Sequence, residues 1–81
     1  GLGRKRMLSI APIRYFQFIQ HSLDMIEIRL VCRETLTVSQ QQAIVDHVQK
    51  SLPYKFRVKL TLLDEIPPTP GGKIEDFICL I

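Results

Sequence analysis

Phe56-Arg57-Val58-Lys59-Leu60-Thr61-Leu62 alternates apolar and polar residues without a break, the period-two signature of a strand with one buried face. The residues before it carry a different period. Ile44, Val45, Val48 and Leu52 fall on one side of a helix that Pro53 stops. Either Thr37 or Ser39 can cap that helix, with Gln40 or Gln42 three residues on to close a capping box. Asp46 and Lys50 have the i,i+4 spacing of an outward-facing ion pair.

Upstream, Tyr15 to Gln20 alternates again, with Phe16 and Phe18 on one side and Tyr15, Gln17 and Ile19 on the other. His21-Ser22-Leu23-Asp24 reads as a polar turn, and from Met25 to Val31 the apolar Ile26, Ile28 and Leu30 oppose Glu27 and Arg29. Two strands joined by such a turn form a hairpin. The order strand, strand, helix, strand predicts an α+β fold. It is a two-layer sandwich in which a three-stranded β-β-α-β sheet carries one main helix, residues 39–52, on one face. A right-handed crossover sets the third strand parallel to the second, with the first expected between them. The expected core is Phe16, Phe18, Ile26, Ile28, Leu30, Ile44, Val48, Phe56, Val58, Leu60 and Leu62. Arg4 to Ala11 has helix-forming residues that stop at Pro12, so residues 1–12 read as a helix end or as coil, and 13–81 as one domain. The last stretch, Ile74 to Ile81, is short and mostly apolar and fits more than one state.

Eighty-one residues bury a single modest core. Of the net charge of +3, Arg4-Lys5-Arg6 accounts for all three units, leaving eight basic residues against eight acidic from Met7 onward. A neutral body argues against a nucleic-acid partner. Cys32 and Cys79 lack CxxC spacing and sit in apolar segments, which suits buried thiols in a reducing compartment. No apolar run reaches the roughly 18–20 residues that span a bilayer, and the first residues lack the apolar core of a signal peptide. A cytoplasmic protein with no membrane partner is expected.

Asp64-Glu65-Ile66-Pro67-Pro68-Thr69-Pro70-Gly71-Gly72-Lys73 is neither helix nor central strand, because three prolines fix φ and remove backbone donors. Gly71-Gly72 permits close approach of the backbone to another group and sets Lys73 at the tip of a loop. On composition alone this is a solvated turn with an exposed lysine, or a loop that offers a cation to something outside itself.

The string Pro67-x-Thr69-Pro70-x-Gly72-Lys73 resembles the C-terminal lysine motif of adenylate-forming enzymes, the acyl-CoA synthetase superfamily. Within it the chain is most similar to the phenylacetate-CoA ligase and CapK-related branch, the latter often named for capsular polysaccharide synthesis. The similar blocks are Phe16 to Asp24, Ile26 to Leu30, Asp64 to Pro67 and Gly71 to Phe77. Pro68 and Gly71 stand where the commoner pattern has a basic residue and a Ser or Thr, and Glu75-Asp76 where basic residues often follow the lysine. The resemblance implies a C-terminal lid domain for residues 13–81, too short to be a complete adenylating enzyme and not expected to be active alone. It implies that Lys73 is catalytic, stabilising the adenylation transition state, and that Thr69, Gly71 and Gly72 shape the loop that meets the cofactor. ATP and magnesium are implied for the full-length enzyme, bound mainly outside this chain. The implied partners are an N-terminal adenylate-binding domain of the same polypeptide and a carboxylic acid.

No second catalytic set emerges. His21 reads as a turn residue and His47 as helix surface, neither at metal-ligand spacing. Ser22, Ser39 and Ser51 suit a turn, a cap and a helix end, and no base accompanies them. Glu75 and Asp76 read as a solvated pair beside Lys73. Two other function classes remain open. Gln17, Arg29, Arg57 and Lys59 on one sheet face, with Tyr15 to stack on a base, would suit a stand-alone RNA-binding or ligand-sensing module. A homodimer formed through an open edge at the second or third strand would suit a dimerisation module.

Overall fold

The computed structural model describes residues 3–65 and 75–81. In chain order they form α1 (Arg4–Ile10), β1 (Ile13–Ser22), β2 (Met25–Cys32), α2 (Val38–Ser51), β3 (Arg57–Leu63) and β4 (Glu75–Cys79). The four strands make one mixed sheet in the order β3-β2-β1-β4.

The two long strands form the expected hairpin, with Phe16 opposite Leu30 and Phe18 opposite Ile28. Its loop is tighter than the sequence reading: His21 and Ser22 belong to β1, leaving Leu23-Asp24 as the turn. A bulge between Gln20 and Ser22 absorbs the change of register. The Ser22 hydroxyl donates to Asp24 Oδ1 at 2.8 Å, and the Arg57 N–H donates to the Asp24 carbonyl at 2.7 Å. The hairpin turn is thereby tied to the first residue of β3.

β3 lies parallel to β2, as the crossover rule requires. It lies directly beside β2, however, and β1 is not between them. The sheet is also one strand wider than expected, because Glu75–Cys79 adds to the free edge of β1 in parallel, Phe77 opposite Phe18. Two strands, β2 and β1, are therefore central, and the edges are β3 and β4.

Thr37 caps α2. Its hydroxyl accepts from the Gln40 N–H at 3.0 Å and its own N–H donates to Gln40 Oε1 at 2.9 Å, completing the capping box. Asp46 takes the Gln42 amide at 2.9 Å rather than pairing with Lys50. Ile44 and Val48 are fully buried against Phe16, Ile28 and Leu30, joined by Met7 from α1 and by Leu36. Gly3 stands at the N-cap of α1, and its φ of +73° is a left-handed value that suits a residue without Cβ.

Seven of the eleven expected core residues are buried, and Phe56, Val58 and Leu60 are half-buried at the β3 edge. Leu62 is the exception at 47% exposed. It sits on an edge strand beside an open groove of about 320 Å3 lined by Leu30, Leu36, Leu63 and Asp64, and among the described residues no helix covers it.

Candidate functional site

Lys73, Thr69, Gly71 and Gly72 lie outside the described residues. Their flanks do not. β3 ends at Leu63, paired with Val31, and β4 begins at Glu75, paired with Phe16. Val31 in turn pairs with Tyr15, next to Phe16. The two flanks of the Pro/Gly/Lys segment thus stand at the same end of the sheet, on its opposite edges.

The described residues contain one polar centre that the sequence reading did not assemble. Glu27 lies on the sheet face away from α2 and is only 5% exposed. Its Oε2 accepts from the Thr61 hydroxyl at 2.6 Å and meets Arg29 Nε at 3.3 Å, while Oε1 lies 2.7 Å from His21 Nε2. Three strands converge here: His21 from β1, Glu27 and Arg29 from β2, Thr61 from β3. Alternation had placed Glu27, Arg29 and Thr61 on one kind of face, but only the β2–β3 register sets Glu27 beside Lys59 and Arg29 beside Thr61. His21 is a strand residue with a carboxylate partner, not the turn residue of the sequence reading.

Burial pushes the Glu27 carboxyl upward. Hydrogen bonds from Thr61, His21 and Arg29, together with the Arg29 charge, outweigh it and hold the group at about 2. A carboxylate so acidic is a poor general base and cannot serve as an acid near neutral pH. The cluster therefore reads as an electrostatic staple across the sheet. A second pair is inert for another reason. The Ser51 hydroxyl donates to the His47 carbonyl at 2.7 Å, and the imidazole Nδ1 stands off at 3.5 Å, so the proton is already committed to the backbone. Burial raises the Cys32 thiol above its ordinary value, which disfavours the thiolate. Among the described residues no group of three or more His, Cys, Asp or Glu side chains could hold a metal ion. Among them also, no helix is long and apolar enough to cross a membrane.

No curated protein and no solved structure matches this chain. One family model does, that of the CapK C-terminal domain, and it covers residues 6–79. The match runs from α1 through β4 and takes in the Pro/Gly/Lys segment, and the chain belongs to the CapK C-terminal domain family.

Proposed function

We propose that this chain is the C-terminal domain of an ATP-dependent, carboxylate-activating ligase, with Lys73 as its catalytic residue. The observation that carries the reading is the family match over residues 6–79, because it takes in the string Thr69-Pro70-Gly71-Gly72-Lys73, which resembles the lysine motif of adenylate-forming enzymes. The polar cluster at Glu27 supports it by subtraction, since its groups are committed to one another and leave the chemistry to another part of the chain.

In such a reaction a carboxylate attacks the α-phosphorus of ATP and pyrophosphate departs. Negative charge spreads over the transferring group and the incoming oxygen. A compact ammonium on a flexible stem can sit between the two and neutralise both as the charge develops. Gly71 and Gly72 would let the loop approach without side chains in the way, with Thr69 and Pro70 shaping its entry. ATP, magnesium, the acid and the acceptor would be bound mainly by a preceding domain of the same polypeptide.

The test is carboxylate-dependent exchange of labelled pyrophosphate into ATP by the polypeptide that carries this domain. Exchange that needs an acid and falls away in Lys73→Ala supports the proposal. Exchange with every acid tried yet indifferent to Lys73, or none under conditions where the protein is folded and binds ATP, overturns it.

A further inference from the structure

β4 is an edge strand whose outer backbone groups meet no other strand among the described residues. The direction of those groups follows from one hydrogen bond. The Leu80 N–H donates to the Gln20 carbonyl of β1 at 3.0 Å, so alternate residues Asp76 and Ile78 also turn their N–H and C=O toward β1. Glu75, Phe77 and Cys79 turn theirs outward. On the helix side of the same strand Phe77 is 57% exposed, stacked on Phe18 with 5.1 Å between ring centroids and 19° between planes. Beside it runs an apolar groove of about 260 Å3 lined by Ile26, Leu52, Phe56 and Cys79. An open ladder beside apolar side chains has the makings of strand addition.

The other edge is guarded. β3 carries Arg57 and Lys59, and charged residues on an edge strand discourage pairing with another chain. β4 is charged as well, but its Glu75 and Asp76 are adjacent at its start, whereas the outward-pairing end, Phe77-Ile78-Cys79, is uncharged and carries the exposed Phe77 ring.

We propose that β4 is a self-association edge, pairing antiparallel with β4 of a second copy about a two-fold axis through Phe77. The charges select this register and direction. Antiparallel pairing centred on Phe77 puts Glu75 opposite Cys79 and Asp76 opposite Ile78, so the acidic positions fall at opposite ends of the ladder, whereas parallel in-register pairing would set Glu75 and Asp76 against themselves. The outward residues 75, 77 and 79 are then the ones that exchange N–H···O bonds across the seam. Both Phe77 rings lie on the helix side, because a two-fold axis normal to the sheet keeps its faces. The Phe18–Phe77 stack becomes a row of four rings, and two four-stranded sheets become one of eight. The symmetry is closed, so the contact ends at the dimer. This edge is independent of the proposed reaction.

A contact of one five-residue strand is small and weak, so dimerisation is expected at roughly 10⁻⁵–10⁻³ M. Sedimentation equilibrium over that range reads the monomer–dimer balance. Amide hydrogen exchange at low and high concentration locates the contact, with added protection expected at Phe77 and Cys79 and none along β3. Phe77→Lys should weaken association at least tenfold, as should Cys79→Pro, which removes an outward N–H and leaves the backbone bonds to β1 in place, at the loss of the weak thiol contact with Gln20 Oε1 at 3.9 Å. Circular dichroism and the amide spectrum of each variant establish that the monomer is folded, and Lys59→Glu should leave association unchanged. A protein that stays monomeric throughout, a dimer indifferent to both β4 variants, or protection that appears on β3 instead overturns the proposal.

Discussion

The Thr61 hydroxyl donates to Glu27 Oε2 at 2.6 Å, joining residues 34 apart in sequence across the seam between β2 and β3. That bond, with His21 and Arg29 on the same carboxylate, is what makes burial of a charge tolerable on this sheet face. Glu27→Ala removes the acceptor for three groups at once and should cost about 2–4 kcal/mol of stability. Glu27→Gln keeps the shape and an oxygen for Thr61 but not the charge, and should cost about 1–2 kcal/mol. Urea midpoints of the two variants measure both, and equal, near-zero losses would remove the staple from the account.

The same cluster gives stability a pH dependence. Folded Glu27 sits at about 2 against an ordinary 4.5, so the unfolded chain binds the proton first as pH falls. Its stabilisation is complete above about pH 5 and is lost progressively as pH drops toward 2. The urea midpoint of the wild type should fall over that window. Glu27→Gln should flatten the limb, and the two proteins should converge near pH 2.

Core variants separate positions that look alike in sequence. Phe16 is fully buried, and Phe16→Ala should cost about 3–5 kcal/mol. Leu62 continues the same apolar row, opposite Leu30, yet is half in solvent. Leu62→Ala should cost less than about 1.5 kcal/mol. Thermal or urea unfolding of the pair checks the ordering, and a Leu62 loss as large as that of Phe16 would mean the groove beside it is closed in solution.

The helix cap is a third measurable element. Thr37→Ala removes the hydroxyl that accepts from the Gln40 N–H, while its backbone N–H can still reach Gln40 Oε1, and should cost about 1 kcal/mol. The Gln40→Ala variant loses only the reciprocal bond and should cost less. Helix content need not change, since α2 is held mainly by Ile44 and Val48 in the core.

The hairpin, α2, its cap and the faces of β1, β2 and β3 were legible because each has a local cause: period, capping residue or stop signal. What escaped was non-local. β4 has only five residues, three of them apolar in a row, Phe77-Ile78-Cys79, so no period announces a strand. Its place depends on the free edge of β1, which no local pattern records. The same holds for strand order: alternation says which residues share a face but not which strand is next, and so the meeting of His21, Glu27, Arg29 and Thr61 was invisible. Leu62 shows the limit from the other side, since alternation assigns a face and says nothing about where the covering helix ends. The Lys73 motif was legible as a string, and the family match over residues 6–79 includes it, but its residues lie outside those described.

Lys73 can be tested in the polypeptide that carries this domain. If its ammonium meets charge that appears only as the acyl-adenylate forms, Lys73→Ala should lower kcat for adenylation by about 10²–10³, the usual effect of losing one preorganised charge-stabilising group. KM for ATP should move far less, because the ground state lacks that charge. Stability should be unchanged, the usual outcome for a polar substitution in a Pro/Gly-rich segment. Lys73→Arg should rescue poorly, a broad planar fork replacing a compact point charge. Where the acceptor is a thiol, supplying preformed acyl-adenylate should restore thioester formation in Lys73→Ala, because the lysine belongs to the earlier half-reaction. Pyrophosphate exchange for the first step and thioester formation for the second separate the two. A variant that adenylates at the wild-type rate would reduce Lys73 to an ordinary turn lysine, while one slow in both steps would point to misplacement of the whole domain.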